Sequence, residues 1–226
     1  VLALSRASIL SLFVAIGFYF LLRYKVSFRT VIIGLLLIII TGISFQSKIY
    51  DYIRENDSVS NDGEIVNHFS SVTNVQSDAS NLERINRWIC AYRMFEERPL
   101  LGYGPGTYQF EYNQFQTIAN KTYISTNDGS RGNAHSEYLT YLSEMGIIGF
   151  LIFLLTVFSS IYYGMVNHYN LKDPLLMAIN LGVLLGLVTF YFHGVFNSFI
   201  DQSKMAFLYF TGLGTIVWIN QYLRQN

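Results

Sequence analysis

Long apolar segments dominate this chain, and one long polar segment, Gln46–Tyr138, separates them. About 20 consecutive apolar residues cross the hydrocarbon core of a bilayer. Only 13% of the residues are charged, against roughly 25% in soluble domains. The pattern predicts an all-α fold, a polytopic transmembrane helix bundle. We expect five spans: Val1–Leu22, Thr30–Phe45, Gly146–Val166, Leu175–Phe196 and Met205–Tyr222.

These segments divide the chain into three parts. Residues 1–45 are expected to form two transmembrane helices, residues 46–138 a large extracytoplasmic loop, and residues 139–226 three further transmembrane helices. Arg23, Lys25 and Arg29 lie in the short connection after the first span, and such basic connections face the cytoplasm. Alternation of the spans then places the polar loop on the outer face of the membrane.

Composition limits the remaining possibilities. The chain has 15 basic and 15 acidic residues, and we expect membrane lipids as partners but no nucleic acid. A single cysteine, Cys90, excludes an internal disulfide. Val1–Leu22 lacks a small-residue cleavage motif, which argues against a cleaved signal peptide. Because the chain begins inside an apolar stretch, we expect it to be the C-terminal part of a longer protein.

An amphipathic helix is predicted within the polar loop, over Asn81–Glu97. Its apolar residues recur at three- and four-residue spacing, Asn81 is a candidate N-cap, and Pro99 stops the helix. Several arginines favour a helix lying on the bilayer surface over one that crosses it. The preceding stretch, Lys48–Ser80, has no clear period and is expected to be a loop.

Three side chains of this helix are candidates for binding an anion. Arg84, Arg87 and Trp88 lie at positions i, i+3 and i+4 and therefore share one side. The guanidinium group offers a rigid fork of donors that suits phosphate oxygens. The alternative is that these arginines meet lipid headgroups or form salt bridges with Glu83 and Glu96.

Arg6 is a further candidate because it interrupts an apolar segment. It precedes Arg23 by 17 residues, or roughly 26 Å of helix, which is close to the hydrocarbon thickness of about 30 Å. Arg6 is therefore expected at the outer edge of the membrane, on the side of the polar loop. It either marks the helix end by snorkelling or lines a site on that face.

Two other patterns in the loop bear on chemistry. The turn Gly102-Tyr-Gly104-Pro-Gly106 could hold an anion with backbone N–H groups, although such a run more often just reverses the chain. His135 opens a predicted helix that continues past Gly146 into the third span, and histidine can exchange a proton near neutral pH. No second ligand stands at metal-binding spacing, so neither a metal nor another cofactor is expected.

His193 and Asp201 lie at the outer end of the fourth span and in the following loop under this topology. Both could face the same cavity as His135, or each could only cap a helix. They are further candidate site residues, together with Arg87 and Trp88.

The order of these motifs resembles the O-antigen ligase/polymerase family. The resemblance rests on Arg84-x-x-x-Trp88, then Glu97-Arg98-Pro99-Leu100-Leu101-Gly102-x-Gly104, then His135-x-x-Tyr138-Leu139, and then Glu144-x-Gly146-x-x-Gly149. The opening Ser5-Arg6 also looks like a segment of the family. One departure is Ser136, since the family commonly has asparagine after the histidine.

The resemblance implies a membrane glycosyltransferase that moves an oligosaccharide from undecaprenyl pyrophosphate to a glycan, lipid or protein acceptor. It implies that Arg6 and Arg84 bind the pyrophosphate and that His135 activates the acceptor hydroxyl as the catalytic residue. It also implies the inner membrane of a bacterium, with several spans and an active site facing the periplasm or the exterior. The departure at Ser136 leaves the role of the histidine intact.

Two alternatives remain open at this point. One is an O-linked protein oligosaccharyltransferase, which uses the same donor chemistry. The other is a transporter or channel subunit, which should show internal repeats and ionisable residues near the membrane midplane. No repeat is visible, and the ionisable residues gather at one face, so a transporter is the less favoured of the two.

Overall fold

The computed structural model describes residues 6–44, 83–116, 125 and 132–225. Seven α-helices lie in these ranges: α1 (Arg6–Arg23), α2 (Phe28–Ser44), α3 (residues 83–97), α4 (Tyr108–Glu111), α5 (Glu137–Asn170), α6 (Pro174–His193) and α7 (Ser203–Gln225). A 3₁₀ turn, Tyr112–Phe115, follows α4. The predicted loop Lys48–Ser80 and the N-cap assigned to Asn81 fall outside the described ranges.

The all-α prediction is confirmed, because no strand occurs in the described ranges. Two described helices, α5 and α6, are long and apolar enough to cross a membrane. In α1 and α2 the described apolar segments are Ala7–Arg23 and Phe28–Leu37. Helix α7 is long enough but more polar. The remaining three spans therefore stay predictions.

The helices sort into two compact units. Helices α1 and α3 to α7 belong to one unit, and α2 belongs to the other. In the first unit α5, α6 and α7 pack against one another, and α1 packs along α6. Their shared core contains Phe153 and Val157 of α5, Leu187 of α6, and Tyr209 and Ile216 of α7.

Side-chain amides and hydroxyls join these three helices inside the apolar core. Asn167 Nδ2 donates to Ile216 O at 2.9 Å, and Asn180 Nδ2 donates to Gly164 O at 2.9 Å. Interhelical hydrogen bonds of this kind help to fix the packing of helices in an apolar environment. Both bonds lie near the end of α5 and the start of α6, at the end of the bundle opposite to the loop 194–202.

Helix α5 is kinked at Gly146, as the sequence alone does not predict. Gly146 has φ 62° and ψ −164°, a conformation that only glycine adopts without strain. The chain after α3 docks at the kink: Ile147 N donates to Pro99 O at 2.8 Å and Ile148 N donates to Leu100 O at 3.4 Å. The amides released by the kink are thus satisfied, and α5 continues as a single structural unit.

Candidate functional site

Helix α3 is held by a small core of its own, separate from the three-helix bundle. Cys90, Ala91 and Met94 of α3 are fully buried against Tyr108 and Tyr112. The two tyrosine rings stack with centroids 5.2 Å apart. The face of α3 that packs on the following chain segment is therefore the one with Cys90, Ala91 and Met94, whereas Ile85 and Tyr92 of the predicted apolar stripe are 47% and 52% exposed.

Arg87 is part of this packing. Its side chain is buried, its Nε lies 3.0 Å from Glu83 Oε1, and its Nη1 donates to Asn133 O at 3.2 Å. The guanidinium carbon also lies 5.3 Å from the ring centre of Tyr112. These contacts favour the salt-bridge interpretation of Arg87, with a positioning effect on the segment that carries His135.

His135 sits in a tight turn that this segment and α3 hold together. Its φ is 49°, in the left-handed region that non-glycine residues seldom adopt. Its N–H donates to Asn133 Oδ1 at 3.1 Å, and its carbonyl accepts from Trp88 Nε1 at 3.4 Å. Strained residues of this kind concentrate at functional sites because the surrounding structure must enforce them.

Ser136 ends the turn by starting α5. It has an extended backbone, and its hydroxyl accepts from Leu139 N at 3.4 Å, so it is the N-cap of the helix. Serine and asparagine are about equally good N-caps. The departure from the family pattern at this position therefore preserves the local structure.

The imidazole of His135 makes no hydrogen bond to any residue in the described ranges. Its partial burial, and then the positive charges of Arg87 and Arg84, lower the pKa of His135 to about 4. The side chain is therefore neutral near pH 7 and can accept a proton from a bound hydroxyl group.

Arg84 is on the same helix as Trp88, and its side chain is half-buried. Unlike Arg87, its guanidinium group has no hydrogen bond or ion pair with the described part of the chain. Its charge acts on both His135 and His193. His135 and His193 belong to distant parts of the chain, and the anion-binding role of Arg84 stays a prediction.

Glu137 binds the loop that follows α6 to the start of α5. It is buried, and its Oε1 accepts from the backbone N–H groups of Phe199 and Ile200, the latter at 2.7 Å. Its own N–H donates to Gly194 O at 2.8 Å. The loop after α6 is therefore fixed against the first turn of α5, two residues from His135.

The glycine-rich turn binds an anion, but the anion is a side chain of this protein. Glu144 accepts from Gly106 N at 2.8 Å and from Tyr108 N at 2.9 Å, and its carbonyl accepts from Gly104 N at 2.7 Å. Gly102, with φ 64°, lies so close that a Cβ there would be 2.5 Å from Glu144 O. These amides are occupied, so the phosphate-cradle interpretation of the turn was wrong.

His193 and Asp201 face two different cavities. His193 lies at the end of a cleft between α6 and α7, with its ring centre 4.7 Å from that of Phe199. Asp201 lines a polar cavity of about 590 Å³ together with Asn133 and Glu144. Asn133 contacts the turn of His135, so the polar cavity lies next to the turn that carries the imidazole.

Arg6 is the first residue of α1, and its side chain is outside what the structure describes. Within the described ranges no three His, Cys, Asp or Glu side chains are grouped to hold a metal ion. The expected absence of a metal stays a prediction. Two structurally important residues received no role from the sequence: Glu137 and Glu144. Their burial could not be read from local pattern, because Glu137 and Glu144 bond to amides 36 to 63 residues away.

Comparison with known proteins gives one match. The family model described as O-antigen ligase matches residues 1–154 of the 226-residue chain. No curated protein and no solved structure matches the chain. The matched range includes α3, the glycine-rich turn, His135 and the kink at Gly146.

Proposed function

The chain belongs to the O-antigen ligase family, a group of ligase- or polymerase-type membrane glycosyltransferases, and we propose that it transfers an oligosaccharide from undecaprenyl diphosphate to an acceptor hydroxyl. The acceptor is a glycan, a lipid or a protein side chain. The protein works in the inner membrane of a bacterium as a multi-pass helix bundle, with loop 46–138 and the active site on the periplasmic or extracellular side.

The diphosphate is the leaving group of this reaction. The acceptor oxygen forms a bond to the anomeric carbon of the donor sugar while the bond from that carbon to the diphosphate oxygen breaks. Negative charge grows on the departing diphosphate, and Arg84 stabilises it as a charged, forked donor. Arg6, at the start of α1, is proposed to bind the same group.

His135 removes the proton of the attacking hydroxyl. Its imidazole is neutral at physiological pH because burial and the nearby arginines lower its pKa to about 4. Binding of the anionic donor offsets the charge of Arg84 and raises that pKa, which makes the imidazole a stronger base when the donor is in place. The protonated imidazole can then return its proton to the diphosphate or to water.

The observation that carries this proposal is the proximity of a free arginine to a neutral, partly accessible imidazole. Within the described ranges Arg84 has no internal ion pair, whereas Arg87 on the next turn is paired with Glu83. An internal ion pair such as that of Arg87 would occupy the guanidinium group. The arrangement instead leaves one cation available for a bound anion next to a base.

The test replaces His135 and Arg84 separately by alanine in the full-length protein. We expect each variant to reach the membrane at the normal level and to lose most of its surface glycan. His168→Ala is the matched control, because His168 lies near the other end of the same helix α5. Arg84→Lys tests the fork: we expect only partial recovery, since lysine cannot bind two phosphate oxygens in a planar fork.

Normal glycan in the His135 or Arg84 alanine variant, at normal protein level, would refute the role of that residue. The carrier-linked products then identify the acceptor class. Loss of a polymerase leaves single repeat units on the carrier. Loss of a ligase leaves long chains on the carrier, and loss of a protein oligosaccharyltransferase leaves unmodified protein acceptors.

A further inference from the structure

A narrow apolar cleft runs along the bundle between α6 and α7. Its volume is about 420 Å³, and it is lined from Val183 to His193 on α6 and from Met205 to Thr215 on α7. Each stretch advances ten residues, or about 15 Å of helix. The hydroxyls of Thr189 and Thr215 bond back to their own helices, at 2.8 and 2.9 Å. The walls therefore present almost only hydrocarbon.

One end of the cleft carries a polar side chain, the imidazole of His193. His193 lines that end, and its Nε2 is buried with no hydrogen-bond partner in the part of the chain that the structure describes. A buried polar atom left without a hydrogen-bond partner is destabilising, so a ligand atom that accepts from Nε2 would be stabilising. The charge of Arg84 acts on His193 as it does on His135.

An apolar cleft with the imidazole of His193 at one end, where the charge of Arg84 also acts, fits an amphiphile with an anionic head. Resting on the glycosyltransferase function proposed above, we propose that this cleft holds the isoprenoid units nearest the diphosphate of the lipid-linked donor. His193 Nε2 donates a hydrogen bond to the diphosphate, and Arg84 contacts it from α3. The anomeric carbon is thereby placed next to His135.

The shape of α6 explains why the cleft is open. Gly186 lines it, and a Cβ added there would have no heavy atom within 4 Å. Gly182, one turn earlier, has equally open surroundings but does not line the cleft. Both glycines are exposed and helical. A larger side chain is therefore accommodated at either position, but only at residue 186 does it fill the channel.

The experiment compares Gly186→Leu with Gly182→Leu in the full-length protein, purified into lipid nanodiscs. Binding of sugar-free undecaprenyl diphosphate is measured at equilibrium. We expect Gly186→Leu to weaken this binding by about tenfold or more, because the channel no longer buries the proximal chain. Gly182→Leu should bind as the native protein does. His193→Ala should weaken binding as well, through the head group.

The other occupants of the cleft predict different results. If ordinary phospholipid fills it, Gly186→Leu binds undecaprenyl diphosphate as tightly as Gly182→Leu does. If another helix of the full-length protein fills it, Gly186→Leu lowers the melting temperature in nanodiscs without the ligand. Either result overturns the inference. If the native protein itself does not bind undecaprenyl diphosphate, the proposed function fails with it.

Discussion

Replacement of Glu144 by alanine should release the glycine-rich turn from α5. The carboxylate holds two backbone amides, those of Gly106 and Tyr108, at 2.8 and 2.9 Å. Tyr108 is only 1% exposed, so its amide cannot turn to water, and a buried unsatisfied donor costs about 1–3 kcal/mol. Gly106 is exposed, so solvent can replace its lost bond at little cost.

The expected loss of stability in Glu144→Ala is therefore about 2 kcal/mol, nearly all of it from the Tyr108 amide. For chains of this length, such a change lowers the melting temperature by roughly 4–8 °C. Glu144→Gln keeps one acceptor oxygen and should lose much less. The matched control is Glu96→Gln, which removes a carboxylate from an exposed position of α3.

Two measurements check this prediction on purified protein. Thermal unfolding gives the melting temperatures, and hydrogen exchange followed by mass spectrometry reports the amides of residues 98–112. We expect faster exchange in that peptide for Glu144→Ala and unchanged exchange for Glu96→Gln. The reasoning is wrong if Glu144→Ala melts with the control and keeps the Tyr108 amide protected.

Two further predictions concern the kink and the base. Gly146→Ala should fail to accumulate or should melt well below the native protein, because the added Cβ would meet the Leu100 carbonyl group and φ is 62°. The control Gly182→Ala, where the added Cβ has open space, should melt as the native protein does. A native-like melting temperature for Gly146→Ala would contradict the geometry. Arg84→Lys keeps the positive charge that lowers the pKa of His135. Arg84→Ala removes that charge, so the pKa of His135 should rise in this variant. The acid limb of kcat/KM, read from the residual activity of Arg84→Ala, should then move to higher pH than in Arg84→Lys; an unmoved limb excludes His135 as the titrating base.

Local sequence pattern was sufficient where a helix depends on its own residues. The spacing of apolar residues predicted α3, and Pro99 predicted its end at residue 97. The continuation of the helix after His135 into an apolar span was also confirmed, as α5. The salt bridge of Arg87 with Glu83 was one of two alternatives, since both residues are four positions apart on one helix.

Pattern was insufficient where a polar group finds its partner at a distance. In the sequence, Glu137 and Glu144 look like ordinary exposed helix residues. In the structure both are buried and accept hydrogen bonds from distant backbone amides. The position of His193 depends on how the end of α6 packs on the start of α5, through contacts such as Glu137 N with Gly194 O. Such pairings are properties of packing and not of spacing.

The hydrogen bonds between Glu137 and the loop after α6 also imply an order of assembly. His135 and Glu137 leave the ribosome some sixty residues before Phe199 and Ile200, whose amides complete the carboxylate's surroundings. In a nascent chain that has made α5 but not the loop after α6, the carboxyl group of Glu137 still lacks its two backbone donors. The turn that carries His135 can be fixed against this loop only after α6 has returned the chain to the start of α5. The two amides that bind Glu137, those of Phe199 and Ile200, lie beyond residue 154, where the family match ends.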